Sequence, residues 1–268
     1  MHPFYGCILL TFLIKQIITV FLLKLTGKKY YRQVARFFLL SFIQPVKITS
    51  MQPKAFLFDM NGTMIDDMHY HEKAWFDILN NQIGYPISMA DTKKQMYGKN
   101  EELFERLFGT EKYTNEEVAA WSLMKEKKYQ EVFLPHLQLI KGLNHFLEKA
   151  QQQKIAMAIG TAASPFNVNF VLDNLPVKKY FDAIITADDV ATSKPNPEVF
   201  TKCADILQVS YKDCIVFEDS PKGVQAALNA GMKAVVILSY HQQYEFDHLD
   251  NIVLFINDYT DARLNDLL

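Results

Sequence analysis

Six short, uninterrupted apolar runs constrain this chain more than any other feature: AFLF (55–58), IAMAIG (155–160), AIIT (183–186), CIVF (214–217), AVVIL (234–238) and IVLFI (252–256). Runs of this length, rich in Val, Ile and Phe and lacking polar alternation, suit strands buried on both faces of a parallel sheet. Amphipathic segments lie between the later runs, at 142–153, 165–174, 196–208 and 220–230. A βαβα alternation of this kind predicts a doubly wound α/β fold. Between the first and second runs, residues 68–135 offer no strand-like run, only helical patterns such as HYHEKAWFDILNNQ and NEEVAAWSLMKEKKYQEVF. The expected organisation is therefore an α/β core of residues 51–67 and 142–268 with a helical insertion at 68–141. In open α/β sheets such an insertion stands over the carboxyl edge, where ligands bind.

Charge separates the first fifty residues from the rest. They carry Lys15, Lys24, Lys28, Lys29, Arg32, Arg36 and Lys47 and no acid, leaving 21 basic and 30 acidic side chains for residues 51–268. An acidic body does not suit nucleic-acid binding, which needs a basic face to displace counterions. The opening segment, FYGCILLTFLIKQIITVFLL, is interrupted by Lys15, and it lacks the basic start and small-residue cleavage site of a signal peptide. Two readings stand: a membrane-associated anchor with a cytoplasmic body, or a dispensable extension ahead of a soluble domain that starts at Met51. Cys7, Cys203 and Cys214 are too few and too scattered for a disulfide framework, which fits a reducing, cytoplasmic setting.

The chemistry-bearing residues sit at the ends of the runs. Asp59 closes the first, followed by a Gly62-Thr63 turn, and Gly160-Thr161 closes the second. Lys194 lies in the Pro-flanked stretch SKPNP before a helical segment, and Glu218-Asp219 closes the fourth run. Taken singly, each has an ordinary explanation: a turn Asp, a helix-capping Thr, a solvated Lys, a surface acidic pair. Together they put a carboxylate nucleophile, a hydroxyl, a cation and a pair of hard oxygen ligands at the tips of different strands. Phosphoryl transfer through an aspartyl phosphate needs that set, with a divalent cation neutralising charge.

The segments FDMNGT, IGT, SKPNPEVF and VFEDSPKGVQAALNAGM resemble the four motifs of the haloacid dehalogenase superfamily, and the resemblance spans residues 53–240. The helical insertion resembles the C1-type cap of β-phosphoglucomutase-like phosphatases, and HYHEKAW, with His71 and Trp75, is similar to the start of that cap. The resemblance implies that Asp59 is the nucleophile. It implies Mg²⁺ held by Asp59, the backbone carbonyl of Asn61 and Asp219, with Glu218 close by. Thr161 and Lys194 would bind the transferring phosphoryl group; Gly62, Thr63, His71, Lys99 and Ala162 are the expected substrate contacts. The implied substrate is a small phosphorylated metabolite, and the implied state a monomer.

Asn61 departs from the pattern. Most phosphatases of the superfamily carry Asp two residues after the nucleophile, to protonate the leaving group and then activate water. A carboxamide cannot exchange protons, and general acid–base catalysis is typically worth about 10²–10⁴-fold. Catalysis without Asn61, by His71 or a cap residue, is one reading; a metal- and ligand-binding module with negligible turnover is another. A β-phosphoglucomutase-like isomerase is a third, although Glu101 stands near the place where the related mutases keep a basic residue for a second phosphate. A phosphonate hydrolase using Lys99 as a Schiff-base amine is a fourth.

Overall fold

The structure, a computed structural model, describes residues 52–268. The expectations concerning residues 1–50 lie outside the described residues. Among the described residues, no helix is long and apolar enough to cross a membrane.

Six parallel strands form one sheet: β1 (Ala55–Phe58), β2 (Ala156–Gly160), β3 (Ala183–Ile185), β4 (Cys214–Glu218), β5 (Lys233–Ile237) and β6 (Ile252–Ile256). Their order is β3-β2-β1-β4-β5-β6. The chain moves outward from β1 to β3 and returns to β4 on the other side of β1, so β1 and β4 flank the switch point where open α/β sheets bind ligands. Period-two alternation divides each strand between two cores. Phe56 and Phe58 join Phe146, Phe217 and Tyr259 on one face, whereas Ala55 and Leu57 join Phe200, Val216 and Val236 on the other. Phe58 and Phe217 stack across β1 and β4 with ring centroids 4.6 Å apart. Both faces are therefore apolar, which is why the runs show no polar alternation.

Four strands depart from the expected bounds by one residue: β4 runs on to Glu218, β5 is shifted to Lys233–Ile237, and β3 and β2 are each one residue shorter. Thr186 leaves β3 because its backbone N–H and hydroxyl both donate to Asp189 Oδ2, each at 2.8 Å, starting a 3₁₀ turn instead. Ile155 stays outside β2 because its N–H is bonded to Ala150 O at the end of the preceding helix.

Residues between β1 and β2 form α1 (Met68–Asp77), which runs on through a π-helical turn (Ile78–Gln82), then α2 (Met89–Gln95), α3 (Asn100–Phe108), α4 (Asn115–Phe133) and α5 (Leu143–Gln152). Trp75, Ile78, Leu79, Leu103, Phe104 and Val118 make a separate apolar cluster here. Helix α4 is fixed at its start by a capping box between Thr114 and Glu117. The remaining helices, α6 (Pro165–Asn174), α7 (Glu198–Leu207) and α8 (Pro221–Asn229), connect the later strands. All three lie within the segments expected from periodicity.

Candidate active site

Asp59 follows the last residue of β1, and its N–H still bonds to Phe217 O of β4 at 3.0 Å. That ladder bond fixes where the carboxyl group leaves the sheet. The turn beyond it is held from four directions. Gly62 N–H donates to Asp67 Oδ1 (3.1 Å), Ser239 Oγ donates to Gly62 O (2.6 Å), Tyr259 OH donates to Thr63 O (3.0 Å), and Ile140 N–H donates to Met64 O (2.8 Å). Gly62 has φ +70°, and a Cβ there would run into the Asp219 carboxylate. Glycine is thus required for conformation and for space.

Lys194 is nearly buried, and its Nζ donates to Asp59 Oδ1 at 2.6 Å and to Glu218 Oε1 at 2.8 Å. The second Glu218 oxygen accepts from both the N–H (2.7 Å) and the hydroxyl (2.9 Å) of Ser220. Both Glu218 oxygens are thereby engaged, one anchoring Lys194 and the other held by Ser220. Asp219 differs: its Oδ1 accepts a long bond from Thr63 Oγ1 (3.5 Å), and its Oδ2 is buried with no partner. Carboxylate oxygens of Asp59, Glu218 and Asp219 lie within 4.8 Å of one another. Three buried acids facing one lysine form an under-neutralised cluster. Burial, aided by Glu218, pushes the Asp59 carboxyl up to about 7 even though Lys194 opposes the shift. Burial likewise raises Asp219, and the neighbouring acids add to it. An orphan carboxylate oxygen among hard donors fits a divalent cation such as Mg²⁺.

These groups open into a cavity of about 600 Å³. Asp59, Asn61, Thr161, Lys194, Glu218 and Asp219 line its sheet side, with Ala162 beside Thr161. Trp75, Lys99, Asn100 and Lys125 line the helical side, along with His71. Thr161 Oγ1 accepts the N–H of Ala163 at 3.1 Å, which orients the hydroxyl. Two expected substrate contacts sit elsewhere. Thr63 is fully buried beneath Asp219, and Gly62 shapes the turn without reaching the cavity wall, because the turn folds inward toward Ser239 and Tyr259. Lys99 borders the cavity, but its Nζ donates to Val190 O at 2.7 Å.

A buried polar chain leads away from Asn61 and was not anticipated. Asn61 Nδ2 donates to Asp67 Oδ2 at 2.5 Å and lies 3.2 Å from His71 Nε2. Asp67 Oδ2 also accepts Tyr129 OH at 2.6 Å, and His71 stacks on the Tyr129 ring. On its other side His71 Nδ1 meets Lys125 Nζ at 2.7 Å, and Lys125 donates to both oxygens of Glu126. Asn100 and Asn167 donate to Glu126 at 2.9 and 2.7 Å. Burial works against the charge on Glu126, yet Lys125, His71 and the two amides outweigh it and hold the carboxyl down at about 2.

Residues 56–237 match the haloacid dehalogenase-like hydrolase family. The chain is 34% identical to a β-phosphoglucomutase of Bacillus subtilis, over 68% of its own length and 82% of that protein's. It is 31% identical to a fructose-1-phosphate phosphatase of Escherichia coli, over 67% and 93% respectively. A crystal structure of a HAD hydrolase from Entamoeba histolytica superposes with a TM-score of 0.70 at 28% identity, covering 80% of this chain and 97% of that one. The four strand-tip motifs, the parallel sheet that presents them and these likenesses agree: the chain belongs to the haloacid dehalogenase-like hydrolase family.

Proposed function

We propose that the protein is a Mg²⁺-dependent phosphatase that hydrolyses a small phosphorylated metabolite through an aspartyl phosphate on Asp59. The observation that carries this reading is the pairing of Lys194 with Asp59 and Glu218 beside the orphan oxygen of Asp219, at the floor of a metabolite-sized cavity. Relatives named as phosphatases of fructose 1-phosphate and of phosphorylated carbohydrates support it.

Asp59 and Asp219 would hold the cation, with the Asn61 backbone carbonyl as a third ligand and Glu218 anchoring the assembly. When bound, Mg²⁺ supplies neutralisation of the transferring phosphoryl charge. An Asp59 oxygen forms a bond to phosphorus as the bond to the leaving oxygen breaks. Lys194 and the Thr161 hydroxyl hold the phosphoryl oxygens through the transfer. Residues 68–141 act as the cap, shielding the site from bulk water and selecting the substrate.

The phosphatase reading is preferred to the mutase reading because the second-phosphate grip is poor. Glu101 borders the cavity and Lys99 is committed to Val190 O. The same commitment leaves the Lys99 amine ill placed for a Schiff base. Phosphate release from a panel of phosphorylated metabolites with Mg²⁺, compared with Asp59→Asn, tests the proposal. No release above that control at high enzyme concentration would sink it.

A further inference from the structure

The amide of Asn61 has one orientation available. Its Nδ2 donates to Asp67 Oδ2; turned the other way, its carbonyl oxygen would face that carboxylate at 2.5 Å. Asn61 Oδ1 has no hydrogen-bond partner among the described residues, and Asn61 shares the cavity wall with Asp59. The cavity therefore meets a hydrogen-bond acceptor at this position. The proton-bearing groups next to Asn61 are committed elsewhere. Tyr129 OH donates to Asp67, Lys125 donates to Glu126 and contacts His71 Nδ1, and His71 Nε2 lies between Asp67 Oδ2 (3.3 Å) and Asn61 Nδ2. Lys194 is engaged by Asp59 and Glu218, so among the described groups beside Asn61 and the nucleophile none is free to protonate a departing oxygen.

We propose that this site selects its substrate by leaving group, taking acyl, enol and aryl phosphates in preference to phosphates of ordinary alcohols. The inference rests on the phosphatase reading above and specifies the substrate class for that site. In the first step Asp59 bonds to phosphorus and the bond from phosphorus to the leaving oxygen breaks. The leaving group keeps the electron pair and departs as a carboxylate, enolate or phenolate, with no proton taken from the protein. An alkoxide would need that proton, and general acid help of this kind is typically worth about 10²–10⁴-fold. In the second step one water adds to phosphorus, the Asp59–phosphorus link breaks, and Asp59 regains its carboxylate. The water's second proton passes to a phosphoryl oxygen, giving dihydrogen phosphate. Asn61 Oδ1 accepts a hydrogen bond from the attacking water and orients it without removing its proton.

The test is a series of substituted phenyl phosphates, with acetyl phosphate and glycerol 3-phosphate at the extremes, assayed as kcat/KM with Mg²⁺ against Asp59→Asn. The wild-type protein is expected to lose rate steeply as the leaving group becomes more basic. In the exchanged pair Asn61→Asp/Asp67→Asn, a carboxyl group stands at position 61. The poorest leaving groups are then expected to gain up to about 10²–10⁴-fold relative to acetyl phosphate. A flat dependence in the wild-type protein overturns the inference whether or not the double variant folds. So does a folded double variant with an unchanged dependence. Release that depends on Asp59 yet ignores the leaving group refutes this inference alone, whereas no Asp59-dependent release from any member of the series refutes the phosphatase reading itself.

Discussion

Asn61 and Asp67 are joined by a 2.5 Å hydrogen bond from amide nitrogen to carboxylate oxygen, and Asp67 is completely shielded from solvent. Asp67 occupies the N-cap position of α1 but gives that helix no side-chain bond. Its oxygens turn back to Asn61 and Gly62 and across to Tyr129. A carboxylate at position 61 would confront a second buried carboxylate at the same distance. The carboxamide is matched to its surroundings.

Asn61→Asp alone is therefore expected to destabilise the protein by roughly 1–3 kcal/mol, as a buried like-charge contact does. At about 2–4 °C per kcal/mol for a chain of this size, thermal unfolding resolves such a change. Asp67→Asn in the same chain should restore much of the loss. A double-mutant cycle with no coupling between the two positions would count against the pairing.

Lys194→Met should remove turnover and also lower stability, by about 3–5 kcal/mol, because it strands Asp59 and Glu218 as buried charges without their partner. Asp59→Asn should remove turnover while sparing the fold. Unfolding curves beside phosphate-release assays separate the two outcomes.

Mg²⁺ should raise the unfolding temperature through the acidic cluster, by an amount that grows with concentration; at a hundred times Kd the gain is about 2.7 kcal/mol. Asp219→Asn should abolish the shift. Gly62→Ala should abolish it as well, since the added Cβ meets the Asp219 carboxylate and the positive φ costs roughly 1–2 kcal/mol. A metal-dependent shift that survives both changes would place the cation elsewhere.

Glu126 gives a pH signature in stability. Its carboxyl is held down at about 2 in the folded protein against an ordinary 4.5, so its contribution is fully present above about 4.5 and is lost as pH falls toward 2. Between those limits wild-type stability should fall more steeply than that of Glu126→Gln, which has no proton to take up there. Equal slopes in denaturant titrations across that window would show that the Lys125–Glu126 pair does not hold the helices.

The strand tips were readable because each follows an apolar run, and buried parallel strands announce their own ends. Asp59, Thr161, Glu218 and Asp219 consequently fell on one cavity wall, and Lys194 joins them from the loop after β3. Asp67 was not readable as a site residue, since an acid ahead of a helical pattern is ordinarily a cap. Lys125 and Glu126 were hidden in KEKKYQE, which looks like a solvated face, although they are 3% and 6% exposed. A signal for them did exist. Val118, Ser122, Tyr129 and Phe133 mark the inward stripe of α4, and positions 125 and 126 continue it. A charged pair in an apolar stripe announces a buried ion pair. For Gly62 and Thr63 the motif shows that the turn is tight, not which way it folds.

The order β3-β2-β1-β4-β5-β6 makes β1 and β4 the middle pair of the sheet, and the nucleophile and the acidic pair hang from those strands. Central strands are the last part of such a fold to open and their amides the slowest to exchange. The reactive carboxylates should therefore keep their spacing through fluctuations that loosen the outer strands or lift the helices above them. Heat inactivation would then be a question of lifetime, ending when the middle of the sheet parts and not before.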